Sequence, residues 1–273
     1  MKNCAQITAA SFWAPALETP DAWEAWARTG LLPASADTGA DTPEPKAAAK
    51  SVPPMLRRRL SPLGRAVAEA SGPFAEAMKD PDTALVFASR WGDAQSAVDE
   101  LRSLVETGTL SPALFATSVH NGIAAILSIA HGHRGFETAV AAGPFSLEAG
   151  FMSAVGLLTE HPRVVLCAYD AVSPDAFDEK DSFTHASAFL LEAQVEDEAR
   201  AAFLSAWKRG PFLSLMSTPR ADGTPDARLE TRSAMADLGV IRWLLADEAP
   251  FLTRSDRHAD WIWAKNACLR VLR

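Results

Sequence analysis

The feature that most constrains this chain is its alternation of strand-like and helix-like segments. Short apolar runs of strand length, such as ALVFAS at 84–89, are followed by segments whose apolar residues recur with helical spacing. From the first strand at 5–13, the predicted order is β-α-β-α-α-β-α-β-β, and its last two strands are 163–172 and 183–194. Alternation of this kind predicts an α/β domain with a mostly parallel sheet flanked by helices.

One helix within this pattern is especially well marked. Asp93 is a suitable N-cap, and Gly108 closes the segment. The apolar positions between them have helical spacing: Ala94, Ala97, Val98, Leu101, Leu104 and Val105.

The rest of the chain fits one domain over residues 1–273. Residues 32–54 are rich in Ala, Pro, Asp, Thr and Lys and have hardly a large apolar side chain, so we expect a mobile loop there. From about residue 195 we expect a helical extension, with helices near 197–208 and 231–246. A tail that carries Trp261 and Trp263 follows it.

Composition argues against several classes of function. A net charge of −8 leaves nothing to neutralise a phosphate backbone, which argues against a nucleic-acid partner. No stretch approaches the ~20 apolar residues of a membrane span, and Cys4–Phe12 is too short and too polar for a signal peptide. The three cysteines lack metal-ligand spacing, as does the pair His131 and His133. We therefore expect a soluble, cytoplasmic protein without a metal or another cofactor.

A resemblance to a known family begins at Leu110 and runs to Ala171. Ser111–Phe115 is similar to the Ser-Pro-aromatic segment of the β-ketoacyl synthases of the thiolase-like superfamily. Asn121 falls on the asparagine that opens their next helix. The Gly-x-x-Gly turn of the family falls on Gly132, Arg134 and Gly135.

In this ungapped register, the Thr-Ala-Cys motif of the synthases lies on Ala142-Gly143-Pro144. Pro144 then occupies the position of the catalytic cysteine. A gapped alternative matches Ala-Cys-x-x-Gly to residues 139–143 and puts Val140 there instead. Neither residue is a nucleophile, and proline is well tolerated in the first turn of a helix. The resemblance therefore implies a fold that is kept and a condensation activity that is lost.

More narrowly, the sequence resembles the β-ketoacyl synthase-like chain length factors of bacterial aryl polyene pathways. The similarity covers roughly Ala5–Gln194 and is carried by SFWAPALETPDAWEAWA, PPMLRRRLSPLGR, FASRWGD and SVHNG. It implies a five-stranded half of the thiolase fold, in a non-catalytic subunit that forms a heterodimer with a full-length ketosynthase. Because half of the usual fold is absent, we expect an apolar surface that the partner covers.

The same resemblance implies a role for Leu114. In such synthases this position projects across the dimer interface toward the acyl tunnel of the neighbouring subunit, so Leu114 is a candidate gatekeeper of chain length. The alternative is that Leu114 and Phe115 simply pack in the interface. Pro144 and Phe145 complete this set of candidate chain-length or interface residues.

A basic cluster is the candidate surface for an acyl carrier protein. Arg57, Arg58 and Arg59 lie in a predicted helix, 55–70, that in the synthases helps to dock this acidic protein. The alternative is an ordinary solvated helix face.

Two further hypotheses follow from the remaining polar residues. An acyl hydrolase or acyltransferase could use Cys167, which lies near His185 in the predicted strands, or Ser118, or a Ser–His pair, although the chain has no Gly-x-Ser-x-Gly elbow. A cysteine in a buried strand is usually inert, and His120 and Asn121 at a helix start more often satisfy backbone groups. A purely structural stabiliser of the partner is the other hypothesis.

Overall fold

The fold is an α/β arrangement around one mixed sheet. The computed structural model describes residues 4–15, 17–30, 46–174, 177, 184–193, 212–219, 236–246, 250–255 and 259–265. The eight strands are β1 (Cys4–Trp13), β2 (Thr83–Ala88), β3 (Glu137–Val140), β4 (Arg163–Asp170), β5 (His185–Glu192), β6 (Phe212–Pro219), β7 (Phe251–Ser255) and β8 (Ala259–Lys265).

Nine α-helices are found in the described part of the chain. They are α1 (Pro20–Thr29), α2 (Pro54–Arg57), α3 (Pro62–Ser71), α4 (Ala75–Lys79), α5 (Ala94–Thr107), α6 (Pro112–Ser118), α7 (Gly122–His131), α8 (Ser146–Leu157) and α9 (Ala236–Leu245). The predicted helix at 93–108 is confirmed as α5, with Asp93 as its N-cap and Gly108 as its left-handed C-cap. The predicted helix at 55–70 is instead two, because Ser61 caps a new helix with its side chain.

The sheet has the strand order β3-β2-β4-β5-β1-β6-β8-β7. The pairs β2–β3 and β2–β4 are parallel, whereas β4–β5 and β5–β1 are antiparallel. Among the first five strands, β1 to β4 therefore run in one direction and only β5 opposes them. This confirms the predicted α/β half fold with a mostly parallel five-stranded sheet.

The end of the chain corrects the predicted helical extension. Strands β6, β8 and β7 continue the sheet from β1 as antiparallel neighbours, and the one helix described beyond residue 195 is α9. The predicted helix at 197–208 lies outside the described residues. The ammonium group of Lys265 in β8 hydrogen-bonds the carbonyl oxygens of Trp243 and Ala246, which anchors the C-terminal end of α9 to these strands.

Side chains alternate between two apolar cores, one on each face of the sheet. Leu166 and Val164 of β4 face a core shared with α1, α8 and α9, whereas Val165 and Cys167 face a core shared with α3, α4 and α7. Gly150 lets α8 approach the first face closely, since a Cβ there would lie 2.7 Å from the Cβ of Ala88. The sheet thus fixes the position of α8 and of the turn that precedes it.

The expectation of a mobile loop is revised, and the C-terminal strands cover α8. Part of the predicted mobile loop at 32–54 is packed, because Ala47, Ala49 and Val52 are buried in the second core, while residues 31–45 lie outside the described part. The helix α8 is covered by the chain itself, since Trp263 of β8 lies 5.0 Å from the ring of Phe151.

Candidate functional site

The turn between β3 and α8 is where the resemblance places the lost nucleophile. Gly143–Phe145 form a single 3-10 turn that leads into α8, and Gly143 has a positive φ of 57°, which favours glycine. The hydroxyl of Ser146 accepts from the backbone N–H of Ala142 at 3.0 Å and donates to the carbonyl of Gly143 at 2.8 Å. Pro144 lies within this turn, whereas Val140 is the last residue of β3.

A buried ion pair fastens this turn to the C-terminal strands. Arg254 of β7 donates to Glu148 Oε1 at 2.5 Å and to the carbonyl oxygen of Pro144 at 2.6 Å. Its guanidinium lies 4.9 Å from the centroid of the Phe145 ring. Trp263 Nε1 donates to the same Glu148 oxygen at 3.1 Å. Burial raises the pKa of the fully buried Glu148, and the charge of Arg254 opposes that rise.

A second buried cluster lies beside the turn. His185 Nε2, at the start of β5, is 2.9 and 3.0 Å from the two carboxylate oxygens of Asp237. Burial opposes ionisation of Asp237, but the charge and hydrogen bond of His185 outweigh it and lower the pKa of Asp237. Burial, followed by the charge of Asp237, raises the pKa of Asp170 to about 7.

Little open space remains between the turn at Gly143–Phe145 and the buried cluster beside it. The cavity that Pro144, Tyr169, Asp170 and Asp237 share has a volume of about 10 Å³, which is roughly enough for one water molecule. An acyl chain does not fit in it.

The alternative nucleophiles are not brought together with bases. Cys167 is buried in the core opposite α8, and burial raises the pKa of its thiol to about 12. Its predicted neighbour His185 pairs instead with Asp237 on the other face of the sheet. Ser118 donates to the carbonyl of Phe115, and His120 Nε2 lies 3.3 Å from the carbonyl oxygen of Val140. No hydrogen bond in the described structure therefore favours a thioester hydrolase.

In the described structure, Asn121 lacks the backbone contacts that we expected for its side chain, whereas His133 contacts backbone carbonyl oxygens. Asn121 is exposed and precedes α7 without a side-chain cap bond. His133 contacts the carbonyl oxygens of Met78 and Phe136, at 2.9 and 3.3 Å. Within the described ranges, no cluster of three or more His, Cys, Asp or Glu side chains could hold a metal ion.

Two of the four candidate interface residues lie on an exposed helical pair, whereas Pro144 is half-buried and Phe145 is buried in the turn before α8. Leu114 and Phe115 of α6 are 56% and 55% exposed. The neighbouring helix α5 exposes its apolar stripe as well: Leu101 is 61%, Leu104 41% and Val105 86% exposed. The predicted helix is confirmed as α5, but these three apolar side chains are exposed and do not pack in either core of the described structure.

Only two of the three arginines in the basic cluster are exposed to a binding partner. Arg57 ends α2 and donates to the carbonyl of Ala48 at 3.2 Å, whereas Arg58 and Arg59 are exposed beyond the end of that helix. The turn that follows a short helix, not a long helix face, therefore displays the two exposed arginines.

Sequence reasoning missed the buried charges around the turn. Glu148 and Arg254 are 106 positions apart, and Asp170 and Asp237 are similarly remote, so no local spacing links them. The one available signal was Glu148 itself, a charged residue within the otherwise apolar segment SLEAGF.

The chain is similar to several known proteins. Residues 23–264 match the family model described as the β-ketoacyl synthase N-terminal domain. A solved structure, the ketosynthase (ApeO) in complex with its chain length factor (ApeC) from Xenorhabdus doucetiae, matches with a TM-score of 0.71 and 23% identity. That match covers 97% of this chain and 99% of the other.

Two further structures share the fold at lower identity. The AntDE:AntF structure, of a type II polyketide synthase acyl carrier protein in complex with its ketosynthase, matches with a TM-score of 0.69 and 12% identity, over 97% of this chain and 99% of that one. The ishigamide ketosynthase/chain length factor matches with a TM-score of 0.57 and 13% identity, over 81% and 65%. No curated protein shows significant similarity.

Among the described helices, none is by itself long and apolar enough to cross a membrane. Helices α6 and α7 reach the necessary length and apolar composition only when they are taken together, and the chain bends by 95° between them.

Proposed function

The chain belongs to the β-ketoacyl synthase N-terminal domain family, and from this premise we propose that it is a non-catalytic subunit of the chain length factor type. It would pair with an active, cysteine-bearing ketosynthase in the cytoplasm and take part in aryl polyene biosynthesis. The observation that supports this proposal is that Arg254 hydrogen-bonds the carbonyl oxygen of Pro144 and so holds the turn at Gly143–Phe145, which the resemblance aligns with the catalytic cysteine of the synthases.

Condensation requires a thiolate and space for an acyl group beside it. Pro144 has no nucleophilic atom, and the adjoining cavity of about 10 Å³ is too small for a substrate. Cys167 is a poor substitute, because burial keeps its thiol protonated at neutral pH. These features support a subunit that does not form an acyl-enzyme.

The exposed stripe of α5 and α6 supports the need for a partner. Exposed apolar patches of this kind on one surface typically mark a protein interface. The turn after α6 also reaches the open edge of the sheet, since His120 contacts the carbonyl oxygen at the end of β3. Two of the structures with a similar fold are complexes of this kind: AntDE:AntF contains an acyl carrier protein with its ketosynthase, and the ApeO structure contains a ketosynthase with its chain length factor. A ketosynthase is therefore the partner that we propose for this surface.

The proposal is tested by reconstitution. The cysteine-bearing ketosynthase proposed as the partner is assayed for polyene formation from carrier-bound substrates, both alone and together with this chain. We expect a stable heterodimer and product of defined length only when both chains are present. A ketosynthase that forms the same products without this chain would contradict the proposal.

Leu114 is the residue that we propose as the chain-length gate. Its exposed side chain can enter the partner, so Leu114→Ala should open space at the end of the tunnel and lengthen the products by one or more extension units. Product length is measured by mass spectrometry in the reconstituted complex. Leu110→Ala is a matched control, since Leu110 is 44% exposed on the link between α5 and α6.

If Leu114→Ala and the wild-type chain yield the same length distribution from equally stable complexes, Leu114 is only interface packing. The chain would then be a structural stabiliser of its partner.

Arg58 is the most direct test of carrier docking. Arg58→Glu should weaken binding of an acidic carrier protein to the complex about tenfold at low salt, because an attractive rim charge becomes repulsive. Binding is measured by titration at two salt concentrations. Lys79→Glu is the control, an exposed charge reversal on α4. Equal carrier affinity for Arg58→Glu and wild type would show that the arginines are a solvated surface.

A further inference from the structure

Helices α5 and α6 form a hairpin arm, residues 94–118, that shares few contacts with the body, which is the rest of the described chain. The two helices pack against each other. Neither apolar core of the described structure includes a residue of the arm, whose buried residues are Ala94 and Glu100. Helix α7, which follows α6, instead gives four side chains to the second core: Ile123, Ala124, Ile126 and Leu127. Apolar burial therefore holds α7 in place but contributes little to holding the arm.

The polar contacts of the arm are also internal. Asp99 accepts hydrogen bonds from Gln95 Nε2 at 2.8 Å and from Arg102 Nη1 at 3.3 Å. Ser103 Oγ donates to the carbonyl oxygen of Thr109 at 3.4 Å, which closes the bend between the two helices. In the described structure, no side chain of the arm hydrogen-bonds the body. Polar contacts therefore shape the hairpin without fastening it.

The larger of the two side chains that the arm buries is a poor anchor. Glu100 is 6% exposed, and its Oε2 atom is buried without a hydrogen bond to the described protein. A carboxylate oxygen in this setting costs free energy, because it has lost contact with water and has gained no donor. Opening of the arm returns Glu100 to water, so this residue favours the open state.

Local helix stability does not replace the missing contacts. Helix α5 has 14 residues and α6 has seven, and helices of up to about 12–15 residues are marginal on their own in water. Asp93 caps α5 by accepting from the backbone N–H of Ser96 at 3.3 Å, and Gly108 ends it. These caps satisfy backbone groups at the helix ends but add no apolar burial.

We propose that the arm opens by local unfolding while the body of the isolated chain stays folded, and that the ketosynthase orders the arm on binding. The arm exposes the apolar side chains that the partner covers: Leu101, Leu104, Val105, Leu114 and Phe115. Covering them supplies the burial that the arm lacks in the isolated chain. The candidate gate Leu114 is then fixed in position only in the complex. The ordering by the ketosynthase rests on the proposed function, whereas the local opening is a property of the isolated chain.

Hydrogen exchange of the isolated full chain tests the local opening. Under conditions where exchange reports the opening equilibrium, we expect the amides of α5 to open about a hundredfold or more often than those of α7. Ser61→Ala separates local from global opening, because Ser61 caps α3 of the body by accepting from the backbone N–H of Gly64. This variant should speed exchange in α7 about fivefold, as for a typical lost N-cap, and should leave exchange in α5 unchanged.

Asp93→Ala is the matched control, since it removes the corresponding cap from α5. It should speed exchange in α5 about fivefold. The local opening would be overturned by equal acceleration of α5 and α7 in Ser61→Ala, by wild-type α5 amides as slow as those of α7, or by α5 amides that do not respond to Asp93→Ala.

Should Ser61→Ala fail to fold, urea makes the same distinction in the wild-type chain. Opening of a small segment exposes little surface, so its equilibrium depends only weakly on the urea concentration. Exchange in α5 should stay nearly constant at low urea concentrations while exchange in α7 rises. Equal slopes for the two helices would contradict a separate opening of the arm.

The ordering of the arm is tested in the complex with the ketosynthase. At a saturating ketosynthase concentration, the α5 amides should exchange at least about thirtyfold more slowly than in the isolated chain, because the partner binds the closed arm. If the complex forms and α5 is not slowed, the ordering is wrong and the proposed function stands. If no complex forms, the proposed function itself is wrong, while the local opening is decided by the isolated chain alone.

Discussion

Replacing Arg254 with methionine is expected to destabilise the folded chain by about 3–5 kcal/mol. The change leaves Glu148 fully buried without its cation, and it frees the carbonyl of Pro144 from the hydrogen bond that holds the turn. The free energy of unfolding is measured by urea denaturation of the isolated chain.

A matched control exists at the start of β4. Arg163 lies at the same 2.5 Å distance from Asp80, but both side chains are about one-third exposed. Arg163→Met should therefore cost only about 0–1 kcal/mol. The double variant Arg254→Met with Glu148→Leu should recover much of the lost stability, because both charges of this buried pair are then removed. Equal losses at the two arginines would show that Arg254 does not act as a buried clamp.

Introducing a glutamate at Val105 is expected to weaken the complex with the ketosynthase thirtyfold or more, which corresponds to the roughly 2 kcal/mol of an interface hot spot. Val105 is 86% exposed in the isolated chain, so the substitution should leave its folding intact. A buried carboxylate without a partner in the complex carries a large desolvation cost. Affinity is measured by titration of the two purified subunits.

Phe251→Glu is the matched control for Val105→Glu. Phe251 is 63% exposed on β7, at the edge of the sheet opposite β3. This variant should bind the ketosynthase like the wild-type chain. If Val105→Glu binds normally, or if both variants weaken binding equally, the α5 stripe is not the docking surface.

The first five strands and most helices could be predicted because their signals are local. Apolar runs of strand length and helical spacing between Asp93 and Gly108 appear in the sequence itself, and β4 and α5 lie where those patterns place them. The C-terminal strands were missed because a strand pairing depends on a distant neighbour. Trp261 and Trp263 lie two positions apart, as in a strand, but β8 joins the rest of the sheet through its pairing with the distant β6 and pairs with β7 on its other side.

The site was less predictable than the fold. A sequence shows that Pro144 cannot be a nucleophile, but it does not show that Arg254, 110 positions later, fixes the turn around it. Likewise, the spacing of Leu101, Leu104 and Val105 predicts an apolar helix face without saying what covers it. Burial and, after it, the charge of Asp237 raise the pKa of Asp170, and only the packing of α9 brings Asp237 near.

The most direct test of the central claim is polyene formation by a complex in which the ketosynthase carries an alanine at its own catalytic cysteine. If this chain is non-catalytic, that complex should form no condensation product, whereas the complex with an intact ketosynthase should form polyene. Product that persists with the inactivated ketosynthase, and that disappears when this chain is omitted, would contradict the account.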